Sequence, residues 1–264
     1  MTQFQTSDHQ PRPAKSRCVV VTGAARGIGR GIAECFAQQG DNLVIVDLNS
    51  DETEQTAGQI MKQFNVKALP CACDVTDRTQ VQRMAGGAIA AFGGIDVLVN
   101  NAGICPFIHV MQISDEVFRK TVEVDLIGPF VCTQVIAAHM IEHAAGGRII
   151  DITSLNEDFT GPNQADYGSA KGGLRVQMKA FCQALGPHGI TCNAVAPGIM
   201  LTEMTRKPLE RPGVMERFEK RIPVGRVGRP ADIGWACVFL ASQGAAYISG
   251  TTIRVDGGFT ASCQ

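Results

Sequence analysis

The chain has 264 residues and a formal net charge of -1, from 24 Lys and Arg against 25 Asp and Glu. Because its basic residues are scattered rather than clustered, we expect a small-molecule substrate and no nucleic-acid partner. No run of about 18 apolar residues occurs, so no membrane association is predicted. The first 15 residues are polar and include two prolines, so we expect a flexible leader over residues 1–15 and a single domain over residues 16–264.

The ten cysteines lie singly in apolar segments, except that Cys71 and Cys73 alternate along a predicted strand. No second pair and no histidine group stands at zinc-ligand spacing from these two, so no metal site is predicted. We therefore expect reduced and mostly buried thiols, as in a cytoplasmic protein.

A short β-branched run, Cys18–Thr22, is followed by a segment with helical periodicity over residues 29–39. A glycine-rich turn lies between this strand and this helix. Where side chains are absent, a diphosphate can approach the backbone N–H groups at the N-terminus of a helix. The candidate cofactor-binding residues of the turn are Gly23, Arg26, Gly27, Ile28 and Gly29. The arrangement predicts a dinucleotide-binding turn.

Asp47 follows the next apolar run, residues 43–46, and lies 18 residues beyond Gly29. An acidic residue at the end of the second strand of such a unit is placed to bind the ribose diol, and it would repel a 2′-phosphate. The alternative, that Asp47 only caps the following helix, is weaker because Asn49 already suits that role. Arg26 argues in the opposite direction, since its charge could meet a phosphate. We give more weight to Asp47 and predict NAD rather than NADP.

The pattern then continues with helices over residues 51–64 and 77–92 and strands over residues 67–73 and 96–99. Asp74 follows the third strand and could either bind an adenine amine or cap the next helix. The fourth strand runs into Asn100-Asn101-Ala102-Gly103, a cluster of small and amide side chains. Ligands of open parallel sheets bind at the carboxyl ends of the strands, so we expect this cluster to contact a ligand.

Tyr167 and Lys171 stand four residues apart in the segment GPNQADYGSAKGG, Gly161 to Gly173. In a helix, positions i and i+4 share one face, which places the ammonium group beside the phenol. A nearby cation favours the phenolate, so Tyr167 is a candidate general acid or base. Taken alone, the pair could also be a solvated helix face.

These motifs, in this order and spacing, resemble the classical subfamily of the short-chain dehydrogenase/reductase family. The resemblance runs from Cys18 to about Gly258. It also includes Ser154, thirteen residues before Tyr167; Asn193 to Gly198 with Thr202; Gly225 to Pro230; and Ser249 to Gly258. It implies an α/β fold, a single Rossmann-type doubly wound parallel sheet of about seven strands with helices on both faces.

By this resemblance, Tyr167 exchanges a proton with the substrate oxygen, and Ser154 hydrogen-bonds that same oxygen. Lys171 would hold the nicotinamide ribose and lower the pKa of Tyr167. The further cofactor-binding residues that the resemblance implies, besides Tyr167 and Lys171, are Asp74, Val75, Asn101, Ala102, Gly103, Pro197, Gly198, Met200 and Thr202. Thr202 could instead be a plain helix N-cap, and a lone Ser154 could be a strand-end turn hydroxyl.

Asp125 departs from the family pattern. The fourth catalytic position of the family is usually Asn in a motif like N-L-x-G, whereas this chain reads Asp125-Leu126-Ile127-Gly128. An ionised Asp cannot donate a side-chain hydrogen bond, although a role through its backbone carbonyl and a water would stay open to it. We expect the extra negative charge to act on Lys171 and to alter the pH dependence.

Further helices are predicted over residues 114–143, 165–185 and 231–241, and further strands over residues 147–153, 190–195 and 252–255. Residues 203–221 are polar and amphipathic, and we expect a lid-like segment near residues 200–221. The resemblance also implies a homotetramer, with the helices over 114–143 and 165–185 in one interface and the last strand in another.

Substrate specificity is expected from the segments with the least family pattern, residues 104–109, 155–166 and 200–221. The second segment is unusually polar, with Asn156, Glu157, Asp158, Asn163, Gln164 and Asp166. A polar wall suits a substrate with several hydroxyl groups, although these side chains could equally face solvent. Ser154-Leu155-Asn156-Glu157 is also similar to the same stretch of sugar 1-dehydrogenases in the family. We therefore predict an NAD-dependent oxidoreductase of a sugar or polyol.

Two alternatives stay open. Phe107, Met111 and Phe159 would favour an apolar secondary alcohol, ketone or steroid. An NADPH-dependent carbonyl reductase would be such an enzyme, and Asp47 disfavours it. The other alternative is a non-catalytic NAD-binding regulator on the same fold, because a fold does not fix a function. The retained catalytic residues count against it.

Overall fold

The computed structural model describes residues 16–143 and 146–262. One parallel sheet of seven strands forms its centre, in the order β3-β2-β1-β4-β5-β6-β7. The strands are β1 (Cys18–Thr22), β2 (Asn42–Asp47), β3 (Ala68–Ala72), β4 (Val97–Asn100), β5 (Gly147–Ile152), β6 (Ile190–Pro197) and β7 (Thr252–Val255). The predicted doubly wound parallel sheet is confirmed. The expected leader over residues 1–15 lies outside the described residues.

Helices cover both faces of the sheet. They are α1 (Gly27–Gln38), α2 (Ser50–Phe64), α3 (Arg78–Phe92), α4 (Asp115–Val122), α5 (Gly128–Glu142), α6 (Ala165–Leu185), α7 (Glu203–Leu209), α8 (Val214–Arg221) and α9 (Pro230–Leu240). Buried side chains of α3, α5 and α6 pack on one face of the sheet, and those of α1, α2 and α9 pack on the other. Because both faces are covered, the central strands read as nearly continuous apolar runs.

The strand order reverses at β1, which pairs with both β2 and β4. Val20 lies opposite Val44 of β2 and Leu98 of β4. The connections that leave β1 and β4 therefore run to opposite sides of the sheet, which opens a crevice at the carboxyl ends of these two strands. The fold thus positions a ligand site beside the glycine turn.

The predicted helix over residues 114–143 is one helical run that contains a π-helical turn, Glu123–Ile127. Pro129 has no N–H to donate to the carbonyl four residues earlier, at Asp125. Within the turn, the Gly128 N–H donates to the carbonyl of Glu123, five residues earlier, which is the hydrogen bond of a π-helix. The turn carries the buried Asp125.

By length and composition alone, the helical stretch Asp115–Glu142 could cross a membrane. Half of its apolar window is nevertheless buried inside the protein. Its α5 part supplies Val131, Cys132, Ile136 and Met140 to the core beneath the sheet. The apolar composition is therefore that of a core helix.

The amphipathic segment over residues 203–221 forms two short helices, α7 and α8. Gly213 separates them, with a φ of 73° that favours glycine. Leu209, Ile222 and Val227 are buried in a small apolar cluster of their own between this segment and the rest of the chain. The segment is therefore attached to the domain by a separate, small core.

None of the nine cysteines among the described residues is in a disulfide, and six of them are buried. Burial raises the pKa of Cys35 to about 11 and the pKa of Cys73 to about 12. Both groups are therefore protonated and unreactive at neutral pH. The predicted burial of most thiols is confirmed for these residues, and their reduced state stays a prediction.

Candidate active site

A cleft of about 1340 Å³ opens at the carboxyl ends of the strands, where the order of the sheet reverses. Every site residue predicted from the sequence lines this cleft, except Gly29. The dinucleotide turn, the end of β2, the segment after β4, the segment after β5, the start of α6 and the segment after β6 all meet there. Residues far apart in the sequence are thereby brought into one site.

The dinucleotide turn is held by the segment after β4. A Cβ added at Gly23, whose φ is 63°, would lie 2.8 Å from the Cα of Ala102. Asn101 Nδ2 donates hydrogen bonds to the carbonyls of Thr22 and Gly23, at 2.9 and 3.0 Å. Asn101 therefore has a structural role in addition to its place in the cleft wall.

Gly29 differs from the expectation, because it packs against the turn rather than lining the cleft. A Cβ at Gly29 would lie 2.1 Å from the carbonyl oxygen of Gly23. Only glycine allows α1 to begin this close to β1. Gly29 therefore sets the position of the N-terminus of α1.

Asp47 ends β2 at the far side of the cleft. Its carboxylate accepts hydrogen bonds from the N–H groups of Ala25, at 3.2 Å, and Leu48, at 2.8 Å. Asn49, and not Asp47, caps α2 by accepting from the Glu52 N–H. The structure thus agrees with the argument against a capping role for Asp47.

Arg26 lines the same cleft as Asp47, and its charge is partly neutralised. Its guanidinium group is 3.7 Å from the Glu52 carboxylate, and both side chains are exposed. Arg26, Asp47 and Glu52, which all line the cleft, are therefore two acids and one base.

Asp74 follows β3 and lines the cleft. It accepts hydrogen bonds from the hydroxyl and the N–H of Thr76, at 2.7 and 2.9 Å, and these bonds hold its pKa below the usual value. Asp77 caps α3. Of the two uses that the sequence left open for Asp74, capping is therefore wrong.

Tyr167 and Lys171 lie on one face of α6, as their spacing predicts. Lys171 Nζ is 5.5 Å from the centroid of the Tyr167 ring and donates to the carbonyl of Ile152 at 3.0 Å. Lys171 is 3% exposed, whereas Tyr167 is half-buried and faces the cleft. The pair is not a solvated helix face.

Ser154 follows β5 directly and lines the cleft beside this pair. Its hydroxyl accepts a hydrogen bond from the Asn156 N–H at 3.2 Å. The strand-end turn and the place in the cleft therefore belong to the same residue. Thr202 likewise combines two roles, because it caps α7 and also lines the cleft.

Asp125 lies fully buried beside Lys171. Its Oδ2 is 3.2 Å from Lys171 Nζ, and its Oδ1 accepts from the Ile104 N–H at 2.8 Å. A Cβ at Gly103 would lie 2.6 Å from Asp125 Oδ2 and 3.3 Å from Lys171 Nζ. The glycine of the NNAG motif therefore makes room for this ion pair.

Electrostatics in the cluster favour a phenol beside an ammonium ion. Burial raises the pKa of Tyr167 and Asp125 raises it further, whereas Lys171 and Ser154 lower it. The expected effect of Lys171 on Tyr167 has the predicted sign but does not decide the balance. Burial disfavours the charge of Lys171, yet Asp125 beside it raises the pKa of Lys171 above its usual value.

Asp151 is a buried acid beneath the site that the sequence reasoning missed. It accepts a hydrogen bond from Asn100 Nδ2 at 2.8 Å, and burial raises its pKa to about 7. The charge of Lys171 acts to lower that value, so the two groups interact. A charged residue inside the otherwise apolar strand GRIIDI was the available signal.

The predicted polar wall is only partly present. Of the six polar residues between 156 and 166, Asn156 and Gln164 line the cleft. Asp166 is instead buried, with the Thr121 hydroxyl donating to it at 2.7 Å. Phe107 and Phe159 also line the cleft, whereas Met111 does not. The segments predicted to determine substrate specificity thus contribute two amides and two aromatic rings to the cleft.

Among residues 16–143 and 146–262, no group of three or more His, Cys, Asp or Glu side chains is arranged to hold a metal ion. The side chains that could hold a cofactor are those at the glycine turn and at the end of β2, where the sequence predicts that a dinucleotide binds.

A family model described as Enoyl-(Acyl carrier protein) reductase matches residues 23–260. An L-rhamnose 1-dehydrogenase (NAD(P)(+)) from Azotobacter vinelandii is 39% identical over 251 residues, which cover 94% of this chain and 98% of that protein. An L-rhamnose 1-dehydrogenase (NADP(+)) from Thermoplasma acidophilum is 35% identical, covering 95% and 98%. A crystal structure of a short-chain type dehydrogenase/reductase from Mycobacterium marinum superimposes with a TM-score of 0.87 at 31% identity, covering 93% and 96%.

Proposed function

Because this chain belongs to the short-chain dehydrogenase/reductase family, we propose that it is an NAD-dependent sugar dehydrogenase that oxidises the anomeric C–OH of an aldose to a lactone. The observation that carries the proposal is the meeting of Ser154, Tyr167 and Lys171 in one cleft with the dinucleotide turn. The two relatives named as L-rhamnose 1-dehydrogenases support a sugar as the substrate and its first carbon as the reacting carbon.

In this proposal Tyr167 is the general base. Its phenolate accepts the proton of the substrate hydroxyl, while Ser154 hydrogen-bonds the same oxygen. Lys171 stabilises the phenolate through its nearby charge. When bound, the nicotinamide supplies the acceptor for the hydride that leaves the anomeric carbon of the sugar. Because burial and Asp125 favour the phenol, we expect the rate of oxidation to rise with pH.

The turn after β1 fits a dinucleotide. A Cβ at Gly27 would meet no atom closer than 4.0 Å, so the backbone at the N-terminus of α1 is open to a ligand. Free N–H groups and the helix dipole there favour a diphosphate. Gly23, Gly27 and the α1 terminus would hold the diphosphate, and Lys171 would hold the nicotinamide ribose.

We infer a preference for NAD from Asp47, although the names of the relatives include both NAD(P)(+) and NADP(+). A 2′-phosphate beside Asp47 would face a carboxylate. Asp47→Ser is expected to lower the kcat/KM ratio of NAD over NADP by about 10- to 100-fold, as for the loss of one hydrogen bond to a charged group. Asp51→Ser, on the exposed start of α2, is the matched control. An unchanged ratio in Asp47→Ser would contradict the preference.

The activity is tested by NADH absorbance with L-rhamnose, other aldoses, polyols and secondary alcohols. We expect turnover with an aldose, and a loss of about 10²- to 10⁴-fold in kcat for Tyr167→Phe, as for removal of a general base. Tyr247→Phe is the matched control, because Tyr247 is the only other tyrosine and is fully exposed. Binding of NAD without turnover of any substrate would favour a regulator instead.

A second candidate substrate is an apolar secondary alcohol or ketone. Phe107 and Phe159, both more than half exposed, line the cleft and offer apolar surface. They could equally stack on the apolar face of a sugar ring. A higher kcat/KM for a cyclic secondary alcohol than for every aldose in the panel would favour the second candidate.

We further propose a homotetramer in the cytoplasm. Phe130 of α5 and Val176 of α6 expose apolar surface on one side, and Trp235 and Phe239 of α9 do so on another. Single exposed apolar residues are ordinary, but two separate groups of them on adjacent helices suit two interfaces. Val176→Glu and Trp235→Glu, measured by light scattering, are each expected to give dimers. Most of the cysteines lie singly in apolar segments of the sequence, which supports a reducing compartment.

A further inference from the structure

The segment after β5, residues 155–159, has two sides. Leu155, Asn156 and Phe159 line the cleft. Glu157 and Asp158, between them, do not line it and contact arginines instead. A short segment that alternates in this way carries the substrate-facing residues on one side and their attachment on the other.

Asp158 is bound by two arginines from different elements. Arg175 of α6 places Nη1 2.9 Å from Asp158 Oδ1, and Arg254 of β7 donates from Nη2 to Asp158 Oδ2 at 2.6 Å. The guanidinium carbon of Arg254 is also 5.9 Å from the centroid of the Phe159 ring. One carboxylate thus connects the segment to both α6 and the last strand.

Glu157 strengthens the attachment on the α6 side. Its side chain is 1% exposed, and its Oε1 is 3.9 Å from Arg175 Nη1. The four side chains Glu157, Asp158, Arg175 and Arg254 therefore form one network with balanced charge, which we call the arginine clamp. Such networks are worth more than isolated surface ion pairs, because each side chain is already held by another.

The arginine clamp holds the segment that carries Asn156 and Phe159, two side chains that have few contacts of their own. Phe159 is largely exposed and has its ring beside Arg254, and Asn156 Nδ2 is buried without a hydrogen-bond partner. A displacement of about 1 Å at a substrate-positioning group costs up to about 100-fold in rate. The position of this segment is therefore expected to affect substrate use directly.

We infer that the Arg175–Asp158–Arg254 contacts are positioning contacts for substrate specificity, which hold Asn156 and Phe159 against the sugar while leaving the cofactor end untouched. This inference rests on the proposed function for its kinetic test. Neither arginine is within the cleft wall, so neither is a catalytic residue.

The test is Asp158→Asn, which keeps the size of the side chain and removes its charge. We expect the KM for the preferred sugar to rise at least about fivefold, with the KM for NAD within about twofold of wild type. Arg254→Gln removes only one of the two arginine contacts of Asp158 and should give a smaller rise of the same kind. The double variant should be no worse than Asp158→Asn alone, because Asp158→Asn already removes the contact with Arg254. Asp158→Glu should restore part of the loss.

Glu34→Gln is the matched control. It breaks an ion pair of similar exposure, Arg30 to Glu34 at 2.8 Å on α1, outside the cleft. Equal rises in the KM for sugar and for NAD in Asp158→Asn, or an unchanged KM for sugar, would overturn the inference. Fully additive effects of Asp158→Asn and Arg254→Gln would also overturn it.

A second readout does not depend on any substrate. Hydrogen–deuterium exchange of peptides covering residues 155–164 is expected to accelerate in Asp158→Asn and in Arg254→Gln, with exchange elsewhere unchanged. Unchanged exchange in this segment would contradict the clamp. If wild type turns over no sugar, the proposed function fails, and the exchange experiment still decides whether the clamp holds the segment.

Discussion

Asp125→Asn removes one negative charge from the site while keeping the shape of the side chain. Asp125 Oδ2 is 3.2 Å from Lys171 Nζ, which is 5.5 Å from the centroid of the Tyr167 ring. The carboxylate is therefore at most about 9 Å from that ring, where unit charges interact by roughly 2 kcal/mol at an effective dielectric constant of about 20. One pH unit corresponds to about 1.4 kcal/mol. The expected shift of the Tyr167 pKa is thus about one unit.

The direction of the shift follows from the charges. Asp125 raises the pKa of Tyr167, so its replacement by Asn lowers that pKa. Oxidation requires the phenolate, and its rate rises as pH passes through the Tyr167 pKa. We therefore expect the pH profile of kcat/KM for sugar oxidation in Asp125→Asn to move about one unit toward acidic pH.

The assay is kcat/KM for the preferred sugar at saturating NAD, measured over the neutral and alkaline range. Asp77→Asn is the control, because Asp77 lies outside the cleft and Asn also caps helices. An unchanged profile would show that Asp125 does not act on Tyr167 by charge. A shift toward alkaline pH would show that Lys171 has lost its own charge with its partner, and either result would refute the reasoning.

Three further substitutions test the Asp125–Lys171 ion pair and the glycine turn after β1. Gly103→Ala, which adds a methyl group against Asp125 and Lys171, is expected to lower kcat/KM at least about tenfold, whereas Gly58→Ala in the open on α2 leaves it unchanged. Lys171→Met leaves the buried carboxylate of Asp125 without its partner and is expected to lower the free energy of unfolding in urea by about 3–5 kcal/mol. The double variant Lys171→Met with Asp125→Leu should recover most of that loss. Gly29→Ala, which displaces α1 from the turn, is expected to weaken NAD binding in a fluorescence titration. Additive losses in the double variant, or normal NAD binding in Gly29→Ala, would contradict these expectations.

Features that depend on local backbone geometry could be predicted from the sequence. The β-branched run of β1 stops at Gly23 because the chain must turn with a positive φ there. The i, i+4 spacing of Tyr167 and Lys171 fixes their shared helix face wherever α6 packs. The alternation of strands and helices likewise determines a parallel sheet, since such connections leave few other topologies.

Features that depend on contacts between distant residues could not be predicted. Asp158 and Arg254 are 96 residues apart, and nothing near either position marks the other as its partner. The prediction of a polar wall was partly wrong for the same reason, because Asp166 contacts Thr121 and does not line the cleft. Gly29 reads as part of a ligand-binding turn, yet its role depends on how closely α1 approaches β1. Only the packed structure shows these distances.

The balance of charge around Tyr167 gives one last prediction. Asp125 and Asp151 both raise the pKa of Lys171, and Asp125 with burial keeps Tyr167 a phenol. A phenol is the acid that carbonyl reduction needs, whereas oxidation needs the phenolate. A positive charge brought into the cleft would favour the phenolate, and the oxidised nicotinamide ring carries that charge while the reduced ring does not. We therefore expect ultraviolet difference titration, with Tyr167→Phe as the baseline, to give a lower Tyr167 pKa with NAD than with NADH. Equal values with the two cofactors would show that the charge of the nicotinamide ring does not act on Tyr167.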